Sequence, residues 1–224
     1  MFYDSEFSSW DEPNLISVGF TTVGRHSQTL YVELADTYSE IDCSAFVRSQ
    51  VIPKLRGGDY LVSSITARER ISLWIQALGG PVCLVCDYPE YDHELLRRLL
   101  AAAWPQFLAR EPLSFDPSGL GHRRALTNTL GRVVDDHVQR YGMHHALVDA
   151  ERLAATWSAL LQLGRDPGRS GWTNGARSRG RSAMEWFRVT GGPIFRRRSQ
   201  AMGAQRQPAA CYLEASKVTN APGG

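Results

Sequence analysis

The fold class this chain predicts is mixed α/β, with helices laid against a single sheet. Two observations carry it: three strand candidates in a row, and then strand and helix in alternation. A strand meander followed by alternation buries its apolar faces best in one mixed sheet covered by helices. The strand candidates are FYDSEF at 2–7, LISVGFTTV at 15–23 and TLYVELA at 29–35, separated by Pro13–Asn14 and by Gly24. Turn residues between short β-rich runs make adjacent strands the economical reading. A helix follows from 43 to 55, stopped by Gly57–Gly58, and a second from 65 to 78, stopped by Gly79–Gly80. PVCLVCD at 81–87 reads as a fourth, buried strand, YDHELLRRLLAAAW at 91–104 as a helix, and EPLSF at 111–115 as a fifth, weaker strand. Two helical patterns close the organised part, 126–141 and 145–163, with Gly142 between them.

The totals bound the function. At 224 residues, 43% hydrophobic and 21% charged, the chain has room for one domain with a sizeable core and an appendage. No apolar run approaches the ~18 residues of a spanning helix, and MFYDSEF carries two acids and no Lys or Arg, unlike a signal peptide. A cytoplasmic protein with no membrane partner is the expectation. The net charge of +2 conceals an asymmetry: residues 1–160 hold 14 Lys/Arg against 20 Asp/Glu, and residues 161–224 hold 11 against 3. The first part can concentrate carboxylates; the second, rich in Gly, Arg and Ser, reads as a mostly disordered basic tail able to hold a polyanion. CLVC at 83–86 has the spacing of half a zinc knuckle, but no second Cys/His pair accompanies it, and cysteine in a buried strand serves as a small hydrophobe.

Asp4 and Glu6 stand two apart in a strand, so both leave one face while Tyr3 and Phe7 pack on the other. Two adjacent acids repel unless a cation lies between them. Asp92 adds a third: it sits at the edge of the stripe Leu95, Leu96, Leu99 and Leu100, in the first turn of its helix and just past a strand end. Asp87 competes with it, but DYPE at 87–90 fits a capping box with Asp87 as N-cap and Glu90 at N3, which gives Asp87 a structural role. In HHALVDA at 144–150, helical spacing pairs His145 with Asp149. His144 reaches the same place only if it stands before the first turn, and Gly142 provides the break. Asp149, on the inward side of its helix, needs a partner or a metal.

Together, D-x-E at Asp4 and Glu6, the aspartate after PEY in YDHELL, and HHALVDA resemble the three exonuclease motifs of the DEDD superfamily, in its DEDDh branch. The likeness is to small bacterial and phage 3′–5′ exoribonucleases of ribonuclease-H-like fold, and it runs from residue 2 to about 163. It implies an exonuclease domain over 1–163 and an appendage over 164–224. It also implies that Asp4, Glu6, Asp92 and Asp149 bind two divalent ions, Mg²⁺ or Mn²⁺, and that His144 rather than His145 is the base. The implied partner is the 3′ end of single-stranded RNA or DNA, and the implied assembly a homodimer. The middle motif departs from the pattern, with Tyr88 where many relatives have Asn, which keeps Asp87 as a candidate beside Asp92. An exodeoxyribonuclease and a non-catalytic nucleic-acid-binding module are the two rival readings. Ser5, Ser8 and Ser9 are the candidates for reading a 2′-OH, and Phe7 for stacking on or wedging the terminal base.

Overall fold

The computed structural model describes residues 1–24, 26–115 and 124–165. The tail expected to be disordered therefore lies, from residue 166 on, outside the described residues. Six strands form one mixed sheet: β1 (Phe2–Phe7), β2 (Leu15–Thr21), β3 (Thr29–Leu34), β4 (Leu61–Val62), β5 (Val85–Cys86) and β6 (Leu113–Ser114), in the order β4-β3-β2-β1-β5-β6. The first three are antiparallel neighbours, while β5 joins the free edge of β1 in parallel and β6 joins β5 in parallel. The helices are α1 (Ala45–Gln50), α2 (Ser64–Ala77), α3 (Pro89–Leu100), α4 (Arg124–Tyr141) and α5 (Ala146–Arg165). The mixed α/β class and all five expected strands and helices appear, with differences of extent and one added strand.

The expected helix at 43–55 ends at Gln50, with a separate 3₁₀ turn over Ile52–Lys54. Pro53 explains the break, because it has no N–H to donate and crowds the preceding turn. PVCLVCD contributes only Val85 and Cys86 to the ladder, plus one bridge between Val82 and Leu108. The helix at 91–104 begins two residues earlier, at Pro89, a residue suited to the first helical position, and gives way to a 3₁₀ turn at Ala101–Ala103. The added strand, β4, is a two-residue parallel edge beside β3, too short for any period to reveal.

Two layers of helix cover the sheet. On one face, Tyr3, Val18, Phe20, Val32, Leu34 and Leu84 pack with Ala67, Ile71 and Ile75 of α2 and Leu95, Leu96, Leu99 and Leu100 of α3. On the other, Phe2, Val85 and Phe115 pack with Leu153, Trp157 and Leu160 of α5 and Leu130 of α4. A bulge opposite Glu6–Phe7 returns Leu15 to the first face, and Ile16 joins Cys43, Val47 and Val51 around α1. Cys86 is buried against the Tyr3 hydroxyl, 3.3 Å from Sγ to oxygen, as expected of a core cysteine. No helix among the described residues is long and apolar enough to cross a membrane.

Candidate metal centre

The register of β1 brings the acids together. Phe2 pairs with Val85 in parallel, so two residues on, Asp4 comes level with Asp87, the first residue past β5. On its other side Asp4 pairs with Gly19 of β2. That glycine is a requirement of close approach: a Cβ there would lie 2.2 Å from the Leu147 nitrogen and 2.3 Å from its Cα. The start of α5 thus rests directly on the sheet beside Asp4, and Asp149, one turn in, is carried down to β1. From the opposite direction, α3 begins where β5 ends and turns Asp92 inward, where it is only 3% exposed and accepts a 2.5 Å hydrogen bond from the Ser5 hydroxyl.

Two groups of carboxylates result, each with ligand atoms within 4.8 Å of one another: Asp4, Glu6 and Asp149, and Asp4, Asp87 and Asp92. Asp4 belongs to both. Burial, then the neighbouring acids Asp92, Asp149, Glu6 and Asp87, hold the Asp4 carboxyl well above the usual carboxylate range. Glu6 is pushed up to about 8, by burial first and then by Asp149 and Asp92, with Lys54 opposing. Asp92 is raised to about 7 by burial despite the Ser5 hydrogen bond, and burial raises Asp87 despite Arg152. Asp4, Glu6, Asp87 and Asp92 therefore ionise less readily than ordinary carboxyls, and nearby positive charge would favour their ionised forms. An all-oxygen donor set suits a hard divalent cation. The clusters are able to hold a metal ion. Glu33 is the contrasting case: more deeply buried than any acid in them, it accepts from the Arg56 and Gly57 amides at 2.6 and 2.9 Å and belongs to neither group.

The histidines separate. Gly142 at φ +83° and His144 at φ +59° turn the chain before α5 begins at Ala146, so His144 stands ahead of the first turn. It is half-buried, edge-on to Phe46 at 4.8 Å, and within electrostatic reach of Asp149, Lys54 and Arg152; burial lowers its pKa. His145 meets Asp149 as helical spacing suggests, but through its backbone: its amide donates to Asp149 Oδ2 at 3.2 Å. Its ring is turned away and stacks on Tyr31, centroids 4.4 Å apart, with neither ring nitrogen hydrogen-bonded.

Asp87 requires a correction. It does not cap α3: the N-cap is Tyr88, with no side-chain capping bond, because Pro89 already occupies the first helical position. Asp87 instead faces the other acids and Arg152, whose Nη2 is 3.5 Å from Asp87 Oδ2. Arg152 also lies with Nε 3.1 Å from Asp149 Oδ1. The sequence reading missed Arg152, although its place three residues after Asp149 on a helix was a usable signal. Gly19 was missed too; a glycine inside a strand often marks a close backbone approach. Phe7 stacks on Tyr91 at 5.2 Å, and exposed Trp10 and Tyr88 extend the aromatic group. Comparison with protein-family models gives no match, and neither does comparison with curated proteins.

Proposed function

We propose that this protein is a two-metal 3′–5′ exonuclease of ribonuclease-H-like fold. It acts on the 3′ end of single-stranded nucleic acid, RNA in preference to DNA, and releases nucleoside 5′-monophosphates. The observation that carries this reading is the pair of carboxylate groups sharing Asp4, with one histidine turned out of the helix beside them. Asp4, Glu6 and Asp149 would hold one ion, and Asp4 and Asp92, with Asp87 nearby, the other. Ions held by these carboxylates would supply the positive charge that a phosphodiester needs in order to approach a cluster of acids. His144, kept neutral near neutral pH by its lowered pKa, accepts the proton of the attacking water. Phe7, Tyr88 and Tyr91 are sequence neighbours of Glu6, Asp87 and Asp92 and form one aromatic group with Trp10, and an unpaired base stacks on such rings whatever its identity. A strand meander extended by parallel strands, with helices on both faces, supports the fold assignment.

The preference for RNA rests on the resemblance alone. The three serines nearest the first motif are already engaged: Ser5 with Asp92, and Ser8 and Ser9 with the Glu12 carbonyl. The deciding experiment measures release from the 3′ end of matched single-stranded RNA and DNA, with Mg²⁺ and with EDTA. Mg²⁺-dependent monophosphate release, faster on RNA, is expected. Faster release from DNA would make the protein an exodeoxyribonuclease. Binding indifferent to Mg²⁺ and EDTA, with no release, would make it a non-catalytic binding module.

A further inference from the structure

Arg152 holds an unusual position among the acids. Its side chain is 15% exposed, and it bonds one member of each carboxylate group, Asp149 at 3.1 Å and Asp87 at 3.5 Å. Lys54, whose charge also opposes the rise in the Glu6 pKa, donates to the Met143 carbonyl at 2.6 Å. Asp149 accepts at both oxygens, Oδ1 from the Arg152 Nε–H and Oδ2 from the His145 amide. A guanidinium beside these oxygens neutralises part of the cluster's charge with no metal bound. It also repels a dication approaching the same oxygens, and its planar fork is weakly hydrated enough to be stable in so buried a place.

We propose that Arg152 is a built-in counter-ion that competes with divalent cations for Asp149 and Asp87, and so sets the metal concentration at which the centre loads. The proposal rests on the metal-centre reading given above. It requires that metal binding weaken the Arg152 bridge, and that metal bind more tightly once the guanidinium is gone. A purely supporting role, in which Arg152 holds Asp149 in place, requires the opposite. No residue need be added for either role, so the sign of the change in affinity decides between them.

The test is a calorimetric titration of Mn²⁺ alone into the metal-free full chain, comparing wild type, R152Q and R152K. R152Q keeps the length and some hydrogen bonding but removes the charge; it should bind Mn²⁺ about tenfold more tightly. R152K keeps the charge and should bind close to wild type. If R152Q does not fold without metal, the Mn²⁺-loaded protein is titrated with EDTA instead, and more chelator should be needed to strip R152Q than wild type. Affinity of R152Q equal to or weaker than wild type overturns the proposal. Wild type that binds no Mn²⁺ overturns the metal-centre reading itself, a result distinguishable because it appears before any variant is compared.

Discussion

On the face covered by α2 and α3, Tyr3, Val18 and Phe20 meet Ile71, Ile75, Leu96 and Leu100 in one apolar cluster. On the face under α1, α4 and α5, the apolar residues fall into three smaller groups, and between them lie Asp4, Glu6, Ser17, Glu33 and the buried Asp149 and His145. Both faces are made by the same strands, and β1 alternates between them residue by residue. The difference shows how the molecule divides its labour. One face supplies most of the apolar burial, while the carboxylates gather on the other face and are joined by Asp92, which α3 brings in from the apolar side.

That division can be broken at several points, with expected effects on turnover of decreasing size. Asp4→Ala and Asp149→Ala should each abolish Mg²⁺-dependent loss of 3′-terminal nucleotides while the circular dichroism spectrum stays native; full activity in either purified variant would sink the assignment. His144→Ala should lower the rate by ~10²–10⁴, the usual range for a positioned acid or base. His145→Ala should lower it much less, since its ring faces Tyr31; the reverse ranking would exchange the two roles. In wild type the acid limb of the rate profile should lie below the ordinary histidine pKa of 6.5, because burial favours the neutral ring.

Gly19→Ala comes next. The added Cβ meets backbone rather than a movable side chain, so α5 must lift from the sheet. Overpacking of this kind typically costs ~1–3 kcal/mol, and a shift of ~1 Å in Asp149 could lower the rate ~10²-fold. A Gly19→Ala enzyme with wild-type kinetics would show that α5 is not seated by this contact. Ile71→Ala probes the opposite face: it should cost ~2–5 kcal/mol in denaturant unfolding yet leave turnover per folded molecule unchanged. Loss of turnover there would mean that the two faces are not independent.

The last test is electrostatic and reads stability rather than turnover. In the folded, metal-free protein burial raises the Asp92 carboxyl to about 7 and the Glu6 carboxyl to about 8, well above the usual carboxylate range. A carboxyl whose folded pKa is raised keeps more protons folded than unfolded, so its contribution is fully present below the unfolded value and is lost as pH rises through the folded one. The melting temperature in EDTA should therefore fall between about pH 5 and 8, and divalent cations should restore it at the alkaline end. A melting temperature that rises with pH over this range, in EDTA, would show that the acids are not held together as described.

What the sequence determined by itself was whatever repeats over a short span. The period of two in FYDSEF assigned Asp4 and Glu6 to one face and Tyr3 to the other; the leucine stripe of 95–100 located α3; and Gly142 marked the break that releases His144 from α5. Local rules misled where two of them claimed one residue, as at Asp87, where capping-box spacing was outweighed by Pro89 at the helix start. The motif resemblance grouped Asp4, Glu6, Asp92 and Asp149, but what brings acids into one place is decided by the tertiary structure, which adds Asp87 to them. The parallel pairing of β1 with β5 joins residues more than eighty positions apart, and nothing in either segment encodes that register. The same holds for Gly19 beneath Leu147 and for Arg152 between Asp149 and Asp87, because contacts across a sheet depend on how helices seat on it. Charge repulsion, burial and the choice of counter-ion are properties of that assembled neighbourhood, and they arise only once the chain has closed around it.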